Sequence, residues 1–112
     1  EARKFSYAEA KELLPSVQKL TLAAYERVHR LLDPAAVSPQ TREQAQSTIN
    51  AWVAEMNSLG LEIKGLWLVD FDNGSGYYCW KHPEPSLDYY HTYDEGSEGE
   101  LESSRGWTNQ LV

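Results

Sequence analysis

Apolar residues recur at helical spacing in two segments of the first half of the chain. They lie three and four positions apart, which places each set on one stripe of an α-helix. The first stripe comprises Val17, Leu20, Ala24, Val28 and Leu31, and the second comprises Ala45, Ile49, Trp52, Met56 and Leu59. The pattern predicts two amphipathic helices, and each must bury its stripe against another surface.

Residues with known preferences for helix ends set the bounds of these helices. Ser6 opens the first helix with a capping box, and Pro15 predicts a kink or a restart in it. Ser38 and Pro39 open the second helix, and Gly60 follows its last turn, where a left-handed residue ends many helices. Only about six residues join the two helices, so we expect an antiparallel hairpin.

The second half of the chain has the short apolar runs and turn residues that are typical of strands. Three runs qualify, Gly65–Phe71, Tyr77–Lys81 and Leu87–Tyr93. Asn73-Gly74 favours a tight hairpin turn between the first two. The sequence therefore predicts an α+β fold, an antiparallel helical hairpin followed by a three-stranded antiparallel β-meander, in one domain over residues 1–94.

Charge is concentrated in the second half of the chain. Residues 1–64 carry eight basic and eight acidic side chains, whereas residues 65–112 carry two basic and nine acidic ones, which accounts for the whole net charge of −7. Nucleic acids and anionic membranes bind clustered Lys and Arg, so neither is an expected partner. Residues 95–112 form an acidic Gly/Ser/Glu-rich tail, expected to be mobile or packed by Leu101 and Trp107.

The sequence argues against both a membrane-spanning segment and internal disulfide bonds. No apolar run approaches the ~18 residues that a membrane span requires. The chain has one cysteine, Cys79, which forbids an internal disulfide framework and suits a reducing compartment. We therefore expect a soluble cytoplasmic protein.

Aromatic residues are also unevenly distributed, with four before residue 65 and nine after it. Nine aromatic side chains are more than a helical hairpin can cover on one sheet face, so some should meet a ligand or a partner. Most soluble oligomers are symmetric homodimers. The sequence thus favours a binding or assembly module that forms a homodimer.

Several short motifs follow one another in a fixed order over about residues 4–99. They are Phe5-Ser6-Tyr7-Ala8-Glu9-Ala10, Leu13-Leu14-Pro15, Glu62-Ile63-Lys64, Gly65-Leu66, Val69-Asp70-Phe71, Cys79-Trp80-Lys81, Glu84-Pro85, Tyr90-His91 and Asp94 with Gly96. In these motifs the chain resembles the DUF2203 family of uncharacterised prokaryotic proteins. The resemblance implies a small helical-plus-strand protein of unknown activity, and it implies no substrate, cofactor or catalytic residue.

Strand parity suggests one candidate site. If Lys81 pairs with Leu87, then Cys79 and His91 become diagonal neighbours on one face of the sheet. An imidazole in that position can hold a cysteine as a reactive thiolate.

Such a nucleophile would need a third group to orient the imidazole, and Asp70 or Glu84 would have to supply it. The alternative is that Cys79 is a packed core thiol that behaves as a small hydrophobic residue. We favour the packed thiol, because most free cysteines are structural.

A metal site is the second candidate. His82, Glu84, His91 and Asp94 carry nitrogen and oxygen donors, but the two pairs lie toward opposite ends of the third predicted strand. A narrower site of His91 and Asp94, completed by a carboxylate from the acidic tail, stays open. The alternative to an assembly module is therefore a small enzyme or a metal-dependent site built around Cys79, His91, Glu84 and Asp94, and no cofactor is predicted.

Overall fold

The computed structural model describes residues 3–94. Two helices precede an antiparallel sheet whose strands are hydrogen-bonded in chain order. The elements are α1 (Tyr7–Leu31), α2 (Pro39–Ser58), β1 (Glu62–Gly65), β2 (Leu68–Asp72), β3 (Gly76–Lys81) and β4 (Tyr89–Thr92). The predicted α+β class is confirmed, and the described sheet has four strands where three were expected. The predicted acidic tail, residues 95–112 with Leu101 and Trp107, lies outside the described residues.

Helix α1 begins as the sequence predicts and then differs from the prediction at Pro15. The Ser6 hydroxyl accepts a hydrogen bond from the Glu9 amide at 3.0 Å, and the Glu9 carboxylate accepts one from the Ser6 amide at 2.9 Å. The helix continues through Pro15 without a restart. Pro15 faces solvent between the buried Leu14 and Val17, so packing on both sides of it offsets the one lost hydrogen bond.

Helix α2 has the predicted bounds and packs antiparallel to α1. Ser38 caps its N-terminus, and Gly60 has the left-handed φ of +89° just after its end. The Trp52 indole donates a hydrogen bond to the Thr21 hydroxyl at 2.8 Å. Farther along, Arg27 contacts Thr48 at 3.1 Å, so residue numbers rise on α1 as they fall on α2. The predicted helical hairpin is confirmed.

The run Gly65–Phe71 is not a single strand, contrary to the prediction. The chain turns at Leu66 and Trp67, which separates β1 from β2 and pairs Gly65 with Leu68. Trp67 adopts a left-handed φ of +67°, and its ring packs 5.0 Å from that of Trp52. Burial of this indole against the helices outweighs the cost of an unusual turn conformation for a bulky residue. The strand β1 was missed because the two central residues of this turn, Leu66 and Trp67, are not typical turn residues.

The remaining strand pairings agree with the sequence prediction. Asn73 and Gly74 turn the chain between β2 and β3, and Gly74 has a φ of +98°. Strand β3 pairs with β4 so that Cys79 lies opposite Tyr89 and Tyr77 lies opposite His91. This is the register on which the predicted proximity of Cys79 and His91 depends.

The two faces of the sheet differ in chemistry. Alternate side chains of β2 and β3 enter the core beneath the helices, namely Val69, Phe71, Tyr78 and Trp80. The opposite alternation places charged, thiol and phenol side chains on the other face. No helix among residues 3–94 has the length and apolar character required to cross a bilayer.

Candidate functional site

Three adjacent strands bring Asp70, Cys79 and His91 together on the face away from the core. Asp70 on β2 pairs directly with Cys79 on β3. His91 on β4 lies two residues beyond Tyr89, the direct partner of Cys79, and is therefore a diagonal neighbour on the same face. Sheet register alone thus assembles a carboxylate, a thiol and an imidazole.

These three groups share one buried space. One ligand atom from each residue lies within 4.8 Å of the others. His91 Nε2 lies 3.6 Å from Asp70 Oδ2. Each of the three residues is only 1% exposed. We call them the Asp70–Cys79–His91 cluster.

Asp70 is the unusual member of the cluster. Neither of its carboxylate oxygens has a hydrogen-bond partner among the described residues. Two ionisable side chains lie near its Oδ2 atom, His91 with Nε2 at 3.6 Å and Lys64 with Nζ at 4.0 Å. A buried carboxylate without hydrogen bonds is costly, so native proteins rarely keep one without a ligand or a functional reason.

Asp72, two residues along the same strand and on the same face, shows how a buried carboxylate is ordinarily accommodated. It accepts hydrogen bonds from the Tyr93 hydroxyl at 2.5 Å, the Lys4 ammonium at 2.9 Å and the Gly74 amide at 2.9 Å. Burial raises the pKa of Asp72, but these hydrogen bonds outweigh it and lower the pKa below its usual value. Within the described part of the chain Asp70 has no comparable set of donors, so a structural role explains Asp72 and not Asp70.

Lys64 and Tyr77 lie beside the cluster. The Lys64 ammonium is 4.8 Å from the centre of the Tyr77 ring and 3.4 Å from a Glu62 carboxylate oxygen. The Tyr77 ring centre lies 5.3 Å from that of His91. Burial raises the pKa of Tyr77, and the Glu62 charge raises it further. Glu62 and Lys64, both on β1, were missed as neighbours of the site, although the polar-apolar-polar alternation of Glu62-Ile63-Lys64 is a strand signal.

Glu84 lies elsewhere in the fold and organises a loop. Its carboxylate accepts a hydrogen bond from the Lys81 amide at 2.9 Å, and its carbonyl accepts one from the Trp80 indole at 2.8 Å. The sequence offered Asp70 or Glu84 as the third group beside Cys79 and His91. The structure places Asp70 there and Glu84 elsewhere.

The other two proposed metal donors also lie apart from the cluster. Asp94 is exposed at the end of the described residues and is not among the ligand atoms gathered around His91. His82 packs against Tyr25 with ring centres 4.5 Å apart, and burial lowers its pKa. His91 is thus grouped with Asp70 and Cys79.

A protein-family model, described as an uncharacterized conserved protein (DUF2203), matches residues 3–100. The chain belongs to the DUF2203 family. The matched region contains the whole Asp70–Cys79–His91 cluster and confirms the resemblance seen in the sequence motifs. No curated protein and no solved structure matches the DUF2203 chain.

The donor set of the cluster fits a tetrahedral metal ion. Zinc binds cysteine sulfur at about 2.3 Å and histidine nitrogen or carboxylate oxygen at about 2.0 to 2.2 Å, so its ligand atoms stand about 3.5 Å apart. The cluster atoms lie within 4.8 Å of one another, so side-chain adjustments of about 1 Å would bring them to that spacing. Three protein ligands also leave a fourth position for water or another ligand.

Proposed function

We propose that the DUF2203 chain is a metal-binding module in which Asp70, Cys79 and His91 hold one divalent ion. The observation that carries this proposal is the buried Asp70 carboxylate, which accepts no hydrogen bond from residues 3–94 and lies beside a thiol and an imidazole. A bound cation would supply direct partners for carboxylate oxygens that accept no hydrogen bond from the described residues.

The donor types favour zinc over the alkaline-earth ions. Calcium and magnesium take six or more oxygen ligands, whereas thiolate and imidazole ligands suit zinc and similar transition metals. The cluster offers one sulfur, one nitrogen and one carboxylate group. We therefore expect zinc to bind and magnesium to compete poorly with it.

Burial favours metal binding over nucleophilic catalysis. A reactive cysteine must meet its substrate, and such residues lie in partly exposed electropositive surroundings. Cys79 is 1% exposed and has a buried carboxylate as its direct cross-strand partner. A small ion can reach this space through side-chain movements that would not admit a larger substrate.

The proposal is tested by cobalt titration of the purified chain. Cobalt(II) substitutes for zinc and gives a thiolate charge-transfer band when cysteine is a ligand. We expect one equivalent to bind with this band, and we expect Cys79→Ser and Asp70→Asn to abolish tight binding.

Asp94→Asn is the matched control, because it removes the same charge from an exposed position. It should bind like the wild type if the ligands are those proposed. Loss of binding in Asp94→Asn alone would favour the narrower His91 and Asp94 site. Binding that is absent, or unchanged in Cys79→Ser and Asp70→Asn, would overturn the proposal.

We also propose that the protein forms a homodimer in the cytoplasm. Large apolar side chains that each expose 40% or more of their area support self-association, namely Leu22, Leu32, Leu66 and Tyr93. The chain has a single cysteine, which is buried and forms no disulfide, and this suits a reducing compartment.

A further inference from the structure

We infer that Lys64 is a built-in competitor for the metal, so that the site binds its ion exchangeably rather than permanently. This inference rests on the proposed metal-binding function. The Lys64 ammonium lies 4.0 Å from Asp70 Oδ2, the carboxylate oxygen that also approaches His91. In the metal-free chain it is therefore a positive charge positioned to offset the buried carboxylate.

A bound metal ion and the Lys64 ammonium would repel each other strongly in this arrangement. An ion coordinated to Asp70 Oδ2 at about 2.1 Å would lie no more than about 6 Å from the ammonium as now placed. Repulsion between a divalent ion and a lysine at this distance is weakly screened, because the Asp70 side chain is buried. Metal binding should therefore drive Lys64 away from Asp70.

Glu62 provides a second position for the displaced ammonium. Its carboxylate already lies 3.4 Å from Lys64 Nζ and is more exposed than Asp70, at 33% against 1% for the side chains. The separation of 4.0 Å between Lys64 and Asp70 exceeds hydrogen-bond range, so no hydrogen bond must break there. Lysine has a flexible four-carbon stem, which permits such a shift without movement of the strand.

The arrangement makes metal affinity a balance between two carboxylates. Asp70 attracts either the ion or Lys64, while Glu62 draws Lys64 outward. Removal of the Lys64 charge should therefore tighten metal binding, whereas removal of the Glu62 charge should weaken it. The second effect should shrink when Lys64 is absent, because Glu62 then has no lysine to hold.

The inference is tested by measuring zinc affinity, in competition with a chromophoric chelator, for the wild type and matched variants. We expect Lys64→Gln to bind zinc at least about tenfold more tightly, from the size of the repulsion at this distance. Lys64→Arg keeps the charge and should stay within about threefold of the wild type. Lys81→Gln removes the same charge from the same sheet face and should also have little effect.

Glu62→Gln completes the test as a double-mutant cycle with Lys64→Gln. We expect Glu62→Gln to bind zinc more weakly than the wild type. The same change made in the Lys64→Gln background should weaken zinc binding by a smaller factor. Equal affinities in Lys64→Gln, Lys81→Gln and wild type, or additive effects in the cycle, would overturn the competitor role while leaving the metal site intact. Zinc binding that survives in Cys79→Ser, or is absent from both wild type and Lys64→Gln, would instead refute the site itself.

Discussion

Trp52 joins the two helices to the sheet, so its replacement measures how the fold is held together. Its side chain is 1% exposed, its indole nitrogen donates to the Thr21 hydroxyl at 2.8 Å, and its ring packs 5.0 Å from Trp67. Trp52→Ala would leave a large cavity between both helices and the β1–β2 turn. It would also leave the fully buried Thr21 hydroxyl without this donor.

The expected cost is a large part of the stability of a domain of this size. Truncation of a buried tryptophan to alanine costs about 3 to 5 kcal/mol. The lost hydrogen bond adds about 1 kcal/mol, since Thr21 is buried. A domain stable by about 5 to 15 kcal/mol would be left marginal by this change. Trp52→Phe retains most of the packed volume and should cost less.

Urea unfolding monitored by far-ultraviolet circular dichroism measures these losses without relying on tryptophan fluorescence. Glu55→Ala is the matched control, because Glu55 lies on the same helix and is exposed. It should change the free energy of unfolding by less than about 0.5 kcal/mol. A loss below about 1 kcal/mol in Trp52→Ala would contradict the packing described for this helix.

Three further predictions concern assembly, the thiol and pH. Light scattering at micromolar concentration should give twice the chain mass of 12.8 kDa, and a mass near 13 kDa would refute the homodimer. Cys79 should react with iodoacetamide more slowly than a peptide cysteine because it is buried, and His91→Ala should change this rate little. Fast, saturable labelling at pH 7 that disappears in His91→Ala would instead support a nucleophilic Cys79. Burial lowers the pKa of His82 despite the opposing Glu26 charge. Below about pH 6.5 the unfolded chain therefore binds a proton at this residue more readily than the folded chain does, so the free energy of unfolding falls as the pH drops. Between pH 7 and 5 the free energy of unfolding should fall less in His82→Gln than in the wild type, whereas the exposed control His29→Gln should fall as the wild type does. The same pH dependence in His82→Gln and the wild type would contradict this.

Features that depend on local chemistry were predictable from the sequence. Ser6 and Ser38 cap helices because their hydroxyls accept from amides only three residues away. Gly60 and Gly74 occupy left-handed positions that glycine adopts without a Cβ clash. The alternation of side chains along each strand is likewise a local rule, and together with the predicted β3–β4 register it places Cys79 and His91 on one face.

Features that depend on tertiary packing were not predictable in the same way. Pro15 remains within a helix and Trp67 forms a turn because burial elsewhere outweighs their local preferences. Because the turn at Trp67 was not predicted, β1 was missed, and so was the position of Lys64 beside the site. Whether Asp70 accepts a hydrogen bond depends on every neighbouring side chain, so the lack of donors among residues 3–94 could only be seen in the folded chain.

A crystal structure of the chain with zinc, with data collected on both sides of the zinc absorption edge, tests the metal site most directly. The account predicts one strong anomalous peak per chain, within bonding distance of the Asp70 carboxylate, the Cys79 sulfur and a His91 ring nitrogen. It also predicts that the Lys64 ammonium lies farther from Asp70 and remains beside Glu62. An empty cluster at saturating zinc, or a single ion bound at Asp94 instead, would contradict the central claim.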